Sequence, residues 1–558
     1  MKKETTVGDY LITRLKEIGI DHIFGVPGDF VLGFFNKIMA SGIRYVGTCN
    51  ELNAAYAADG YARIKGIGAV TTTYAVGELS ALNGIAGAYA ENVPVVVITG
   101  CPATFHFKNS PLLHHTLGNY RIPQEMYEKI TVASAFLDNP ENAPKEIDRL
   151  LTACLEHSKP VYINLPSDIV DKTCSAPEKP FAFPKRKTSN KENLEEALEE
   201  ASSLLNNAKS PLIIADVELI RYKLQEEFQL LLEKTGYPFV TMMLGKAVLD
   251  EEHPQFIGLY QGNRSREYIQ QRVAEADAIL ALGTLLSDFN TGGFTTSLQK
   301  EKLISANIDR LQIKHHFYEN VYLYDFINGL TDKLAKRDPS QLDIKPASKH
   351  CTHRRTQEFA PQKEEKITVQ RFFDRTSHFI PENSIVIAET GVSLFSAAET
   401  CMPKNTDFIG QTFYGSIGYT LGAALGASLA APDRPTILFI GDGSFQVTCQ
   451  DLSTMIRYDT MPIIFLLNNE GYTIERVITD GPYNDIQPWQ YWKLPEIFGG
   501  KPGFHVRTEQ QLEEALNEAK KRNRLYFIEV HTEKMDCSAS LKKAGEAMAE
   551  ANDLKKAQ

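Results

Sequence analysis

Two stretches of this 558-residue chain hold residue types that can bind a divalent cation and an anion together. In "TILFIGDGSFQ" an apolar run stops at Gly441, Asp442, Gly443 and Ser444, and in "PIIFLLNNEGYTIER" another stops at Asn468, Asn469, Glu470 and Gly471. If the two runs are adjacent parallel strands, Asp442 and Asn469, 27 positions apart, share one sheet edge. Mg²⁺ takes one or two side-chain oxygens together with phosphate oxygens, and a Gly471 carbonyl would complete such a set. The glycines let backbone N–H groups approach an anion. Asn and Gly are also what an ordinary strand-to-helix turn uses. Two such turns at neighbouring strand ends favour the site. The third Gly of GxGxxG is absent and so is GKS or GKT, so neither a dinucleotide fingerprint nor a P-loop is expected.

Four further places hold groups able to move protons. Glu51 in "NELNAAYAADGYAR" opens a helix after the strand-like "IRYVGTC", where a Glu can also serve only as a partner of the helix dipole. Asp29 lies in "GVPGDF", His114 and His115 are adjacent in "PLLHHTLG", and Glu475 closes "NNEGYTIE". Adjacent histidines point apart as ligands to one metal. The louder group "HCTH" (His350, Cys351, His353) falls in a polar linker, and no site is expected there.

These groups need elements to hold them. Short apolar runs such as "PVVVITG", "PVYINLP", "SPLIIAD", "AILALG", "SIVIAE" and "LYFIEV" alternate with amphipathic stretches along the whole chain. Continuous apolar strands bounded by turns suit parallel sheets covered on both faces, so the fold class expected is α/β, doubly wound, several times over. Leu194, Ala197, Leu198, Ala201 and Leu205 line one face of a helix whose Glu run is a solvated face. Proline-bearing polar segments at 174–190 and 336–366 read as linkers. They predict domains at 1–180, 190–345 and 360–558. A net charge of −11 argues against a nucleic-acid binder. The start has no apolar run of a secretory leader, no stretch is long and apolar enough to span a bilayer, and eight scattered cysteines suggest free thiols. The expected location is cytoplasmic. The tail "CSASLKKAGEAMAEANDLKKAQ" predicts a helix; Leu541, Ala544 and Met548 either face inward or lie on a surface helix.

"GDGSFQ…LLNN" closely resembles the diphosphate and Mg²⁺ motif of thiamine-diphosphate enzymes. "EIGIDHIFGVPGDF", "NELNAAYAADGYAR", "LLHHTLG", "AETGVSLF", "YGSIGYTLGAALG" and "NNEGYTIER" are similar to the 2-oxo acid decarboxylase branch, across essentially the whole chain. The resemblance implies a pyrimidine-binding, a middle and a diphosphate-binding domain, and a homotetramer with active sites between subunits. It implies thiamine diphosphate and Mg²⁺ as cofactors, and non-oxidative decarboxylation of a 2-oxo acid to aldehyde and CO₂ through an enamine-carbanion. Glu51 would hydrogen-bond the aminopyrimidine ring. Asp442, Asn469 and the Gly471 carbonyl would hold the metal. Thr390, Gly415, Ile417, Gly443, Ser444, Tyr472, Thr473 and Ile474 would contact the cofactor, with Ile417 supporting its bent form. Asp29, His114, His115 and Glu475 would form the proton-handling set, Glu475 facing the substrate carboxylate. Glu470 is expected to point to solvent, and Asn468 to shape the turn.

By the same resemblance, Tyr74, Phe289, Leu394 and Ile474 would lie near the substrate side chain. Bulky Phe289 and Ile474 suit small 2-oxo acids, while Leu394 leaves room for longer aliphatic chains. Three alternatives remain at this stage. One is an acetolactate-type carboligating synthase, against which the His114–His115 pair argues. A second is a decarboxylase preferring indolepyruvate or phenylpyruvate, and the third is a non-catalytic binding protein. No Cys stands near "ADVELIRY", so thiol-mediated substrate activation is not expected.

Overall fold

Each apolar run becomes a strand, and the strands collect into three α/β units. The computed structural model describes residues 4–338 and 359–552; His350, Cys351 and His353 lie outside the described residues.

The first unit has six parallel strands, β1 (His22–Gly25), β2 (Arg44–Gly47), β3 (Gly68–Thr73), β4 (Val95–Cys101), β5 (Ala133–Phe136) and β6 (Val161–Pro166), in the order β2-β1-β3-β4-β6-β5. Helix α1 (Glu51–Lys65) follows β2, and α2 (Val76–Ala90) follows β3. Asn50 caps α1 by accepting from the Asn53 N–H at 2.8 Å, and Gly66 ends it at φ 99°. A short antiparallel pair, Glu4–Thr6 with Thr173–Ser175, ties the start of the chain to the end of this unit.

The middle unit runs β7 (Pro211–Ala215), β8 (Phe239–Thr241), β9 (Phe256–Leu259), β10 (Ala278–Leu282), β11 (Leu303–Ala306), β12 (Leu311–Ile313) and β13 (His316–Tyr318), in the order β9-β8-β7-β10-β11-β12-β13. Its sheet is parallel from β9 through β8, β7 and β10 to β11, and mixed at the far edge. β11 meets β12, and β12 meets β13, antiparallel. The cause is chain length: the Asn307 N–H bonds the Arg310 carbonyl at 2.8 Å, and so short a connection can join only antiparallel strands.

The third unit is again parallel: β14 (Ile385–Ala388), β15 (Asp407–Ile409), β16 (Thr436–Gly441), β17 (Ile463–Asn468), β18 (Phe504–Val506) and β19 (Tyr526–His531), in the order β15-β14-β16-β17-β19-β18. Its helices include α3 (Val392–Ala398), α4 (Tyr419–Ala430), α5 (Asp442–Thr448), α6 (Thr473–Ile478) and α7 (Ala539–Ala551).

The first and third units meet through α1 and α4, both rich in Ala and Gly and almost wholly buried. A Cβ on Gly426 would stand 1.9 Å from the Ala57 carbonyl oxygen, and one on Gly60 would stand 2.3 Å from that of Ala423. Only glycine allows backbones this close. Cys49, Cys101, Cys154, Cys174, Cys449 and Cys537 carry free thiols. Cys401 does not, which corrects the expectation of free thiols throughout.

Candidate active site

β16 and β17 pair in parallel with Gly441 opposite Leu467, so the two polar turns do emerge side by side. Asp442 is 1 % exposed and accepts from the N–H groups of Gly443 at 2.8 Å and Gly471 at 3.2 Å. Burial pushes its carboxyl up to about 7, and these N–H groups only partly oppose it. The buried Asn469 amide has one end facing Asp442 Oδ1 at 3.1 Å and the Gly471 carbonyl oxygen at 2.9 Å, and its other end 2.9 Å from Thr473 Oγ1. The Thr473 hydroxyl can donate to the Lys534 carbonyl at 2.7 Å or to the Asn469 oxygen. Turned one way, the Asn469 NH₂ donates to Asp442 and to the Gly471 carbonyl. Turned the other way, its oxygen joins theirs in a donor set that fits a hard, oxygen-bound ion such as Mg²⁺.

The turn after Asn469 is held rigidly. Gly471 has φ 134°, and a Cβ there would meet the Asn484 carbonyl oxygen at 2.1 Å. The Tyr472 N–H donates to that same oxygen at 3.0 Å. The Tyr472 ring covers Gly443, where a Cβ would come within 2.5 Å of it. Arg476, buried on α6, donates to the carbonyls of Asn469 at 3.1 Å and Glu470 at 2.6 Å and pairs with Asp485 at 2.7 Å. Glu470 has φ 58°, projects outward and meets Lys534 at 3.3 Å. Asn468 shapes the turn: its Oδ1 accepts from the Glu470 N–H at 3.3 Å, while its NH₂ donates to Glu529 at 2.7 Å.

A second turn, 411–418, carries Gly415 at φ 67° and Ile417. The Ser416 N–H donates to Gln411 Oε1 at 2.9 Å, while the Ser416 hydroxyl meets Tyr56 Oη at 2.5 Å and accepts from Asn83 at 3.0 Å. The fully buried Glu389 accepts from the N–H groups of Thr390 (3.0 Å), Gly418 (3.2 Å) and Thr420 (3.2 Å), and from the Thr420 hydroxyl at 2.7 Å. Burial pushes Glu389 up to about 7. On this braced turn the Ile417 side chain remains 36 % exposed, a large apolar group held out into open space.

The strand ends of the first unit gather the remaining acid–base groups. His114 Nε2 lies 2.8 Å from Asp29 Oδ2, both half open to solvent, and Phe30 stacks on the His114 ring at 5.0 Å. His115, at φ 68°, meets the same Phe30 edge-on at 6.1 Å, and Asp29, His114 and His115 converge within 4.8 Å. Glu51 sits at the start of α1, and a Cβ on Gly77 would stand 3.2 Å from its Oε1. Tyr74 is buried beneath the histidine segment, its hydroxyl on the Tyr120 carbonyl at 3.2 Å. It supports this segment from below.

Phe289, Leu394 and Ile474 share one apolar cluster of the third unit, with Phe289 against Phe395 at 6.0 Å and Leu394 fully buried. Tyr74 belongs to another cluster, so the four pocket candidates do not meet within the chain. Glu475 is exposed on α6, and α7 packs over that helix with Leu541 and Ala544 buried and Met548 half-buried. Gly545 allows that contact, since a Cβ there would meet Val477 Cγ2 at 2.5 Å.

Three polar residues of the site escaped sequence reading. Glu389 lies inside "AETG" beside Thr390, and Arg476 directly follows Glu475. The third, Glu78, is buried in the first turn of α2, accepts from the Ala75 N–H at 2.6 Å and Tyr162 Oη at 2.5 Å, and is pushed by burial up to about 7. Nothing in their residue types tells a buried brace from a surface charge.

Models of the thiamine pyrophosphate enzyme family match all three units: the N-terminal TPP binding domain over 5–121, the central domain over 198–334 and the C-terminal TPP binding domain over 390–530. The chain belongs to the thiamine-diphosphate-dependent 2-oxo acid decarboxylases, carboxy-lyases that work with thiamine diphosphate and Mg²⁺. Among curated proteins it is similar to the pyruvate decarboxylase of Kluyveromyces lactis, 38 % identical over 98 % of this chain and 99 % of the relative. It is 40 % identical to pyruvate decarboxylase 1 of Pisum sativum over 98 % of this chain and 94 % of that protein. It is 39 % identical to pyruvate decarboxylase isozyme 1 of Saccharomyces cerevisiae over 89 % of each.

Proposed function

We propose that the 2-oxo acid is pyruvate, with somewhat longer aliphatic 2-oxo acids also accepted. The relatives' names support pyruvate. The apolar cluster that Phe289, Leu394 and Ile474 share supports an aliphatic side chain, which apolar surroundings favour. One methylene shifts such discrimination by only about 1–3 kcal/mol, so a range of chain lengths is expected.

The cofactor, when bound, supplies the electron sink for the pair left behind by departing CO₂. In our reading Asp442, Asn469 and the Gly471 carbonyl hold Mg²⁺, while Gly443, Ser444, Tyr472 and Thr473 line the diphosphate. Thr390, Gly415, Ile417 and Ile474 seat the rings, with Ile417 as the apolar support. Glu51 holds a proton at its carboxyl toward the aminopyrimidine. Glu475, on α6, faces the substrate carboxylate. Asp29, His114 and His115 carry the proton that converts the decarboxylated substrate into aldehyde.

The observation that carries this reading is the 2.8 Å contact of His114 with Asp29, stacked on Phe30 and facing outward. It is a preformed acid–base pair, as protonation requires and carboligation does not. The outward position of Asp29, His114, Glu475 and Ile417 in the single chain also supports a site completed by a second subunit, within a homotetramer. We further infer a cytoplasmic location; no helix among the described residues is long and apolar enough to cross a membrane.

The test is product analysis with thiamine diphosphate and Mg²⁺ across 2-oxo acids from pyruvate to indolepyruvate. Acetaldehyde from pyruvate is expected as the main product. A hydroxy-oxo acid as the main product sinks the proposal in favour of a carboligating synthase, and highest kcat/KM on indolepyruvate sinks the aliphatic assignment.

A further inference from the structure

The outer edge of the third sheet carries a cluster that the decarboxylation does not use. β18 is the edge strand and pairs with β19 in parallel, placing His505 opposite Glu529. Side chains two apart on a strand share a face, so Glu529 and His531 project to the same side. Three ligand-type residues therefore meet: His505 Nε2 lies 2.9 Å from His531 Nε2, and His531 Nε2 lies 3.1 Å from Glu529 Oε1. All three atoms fall within 4.8 Å of one another.

Counting protons shows what is missing. Arg507 Nε donates to His505 Nε2 at 3.3 Å, so that nitrogen is an acceptor. The single Nε2–H of His531 is then shared between two acceptors, His505 Nε2 and Glu529 Oε1. The surroundings hold the donors in place. The Trp492 ring stacks on His505 at 5.9 Å, and the Trp492 N–H and Asn468 NH₂ bind Glu529 at 2.9 Å and 2.7 Å. Glu529 is 1 % exposed; burial alone would raise its carboxyl, yet the bonds from His531, Asn468 and Trp492 hold it below the usual range. The contact from Arg507 marks His505 Nε2 as the nitrogen with a free lone pair, the one able to ligate.

We propose that His505, Glu529 and His531 form a second metal site, for a borderline divalent ion such as Zn²⁺, with water in the open position. Two imidazole nitrogens and one carboxylate oxygen are a frequent Zn²⁺ set with one position left open. The Asp442, Asn469 and Gly471 set is all oxygen and suits Mg²⁺. The two sites therefore select different ions by donor type. On binding, the neutral His531 ring changes tautomer: its proton moves from Nε2 to Nδ1, Nε2 ligates the ion, and Arg507 swings off His505.

The experiment is calorimetric titration of the thiamine-diphosphate–Mg²⁺ holoenzyme with Zn²⁺, with Co²⁺ absorption as a second readout. Asp29, His114 and His115 also converge, so His114→Ala is titrated in parallel. We expect one saturable Zn²⁺ site per chain that survives His114→Ala. His505→Ala and His531→Ala should each weaken it by about 100-fold, and Arg507→Ala should tighten it. His505 is exposed, so its variant should fold even where His531→Ala does not. Wild-type affinity in His505→Ala, loss of the site in His114→Ala, or no saturable binding by the wild type would each overturn the proposal.

Discussion

The Arg476 guanidinium donates to the main-chain carbonyl of Asn469 at 3.1 Å, directly behind the side-chain amide that faces Asp442. The same guanidinium reaches the Glu470 carbonyl and the Asp485 carboxylate. One buried cation thus ties the metal turn to the segment at 484–485. Arg476→Met keeps much of the apolar stem and removes every one of these bonds. The half-saturating Mg²⁺ and thiamine diphosphate concentrations should rise about 10- to 100-fold, as for loss of an outer-shell partner, while turnover at saturation is largely kept. Activation constants equal to wild type would show that the turn holds itself.

Glu51→Gln and Glu475→Gln each remove one acid–base group with little change of shape. Each should lower turnover by about 10²–10⁴-fold without abolishing cofactor binding. Steady-state aldehyde release paired with cofactor titration separates the two effects, and near-normal turnover in either variant removes that residue from the mechanism.

Asp29→Asn replaces the carboxylate that meets His114 at 2.8 Å. The amide can still hydrogen-bond the ring but carries no charge. A turnover loss of about 10²-fold is expected, with cofactor affinity unchanged. Equal losses in Asp29→Asn and His114→Gln, and no further loss in the double variant, would mark the two as one unit. Fully multiplicative losses would refute their coupling.

Glu389 gives a pH prediction. Its ordinary value is 4.5 and its folded value about 7, so the folded protein holds the proton more tightly than the unfolded chain does. The stability from this group is fully present below about 4.5 and is lost as pH rises through about 7. Glu389→Gln cannot ionise. The fall in thermal stability of the apoprotein between those limits should therefore be shallower in the variant, by an amount on the order of 3 kcal/mol. Parallel pH profiles would show that Glu389 ionises no differently in the two states.

The parallel sheets were legible because strands such as "ILFIG" and "IIFLL" are apolar on both faces, and only a doubly covered sheet needs that. The side-by-side placement of Asp442 and Asn469 followed from the same fact. The antiparallel edge of the middle unit was not legible, since "LISANID" and "LQI" are apolar like the rest and only the short connection between them decides direction. Arg476 and Glu389 were hidden for another reason: a charged residue reads as surface unless its partners are known, and here most of those partners are backbone atoms. His505, Glu529 and His531 escaped notice because strand register, rather than sequence spacing, brings them together.

The seam between α1 and α4 sets what this enzyme can do mechanically. Where Gly60 and Gly426 rest on the carbonyls of Ala423 and Ala57, backbone presses on backbone with no side chain between to act as a spring. The first and third units of one chain therefore meet as one stiff body, since any slide of α1 along α4 would drive backbone into backbone.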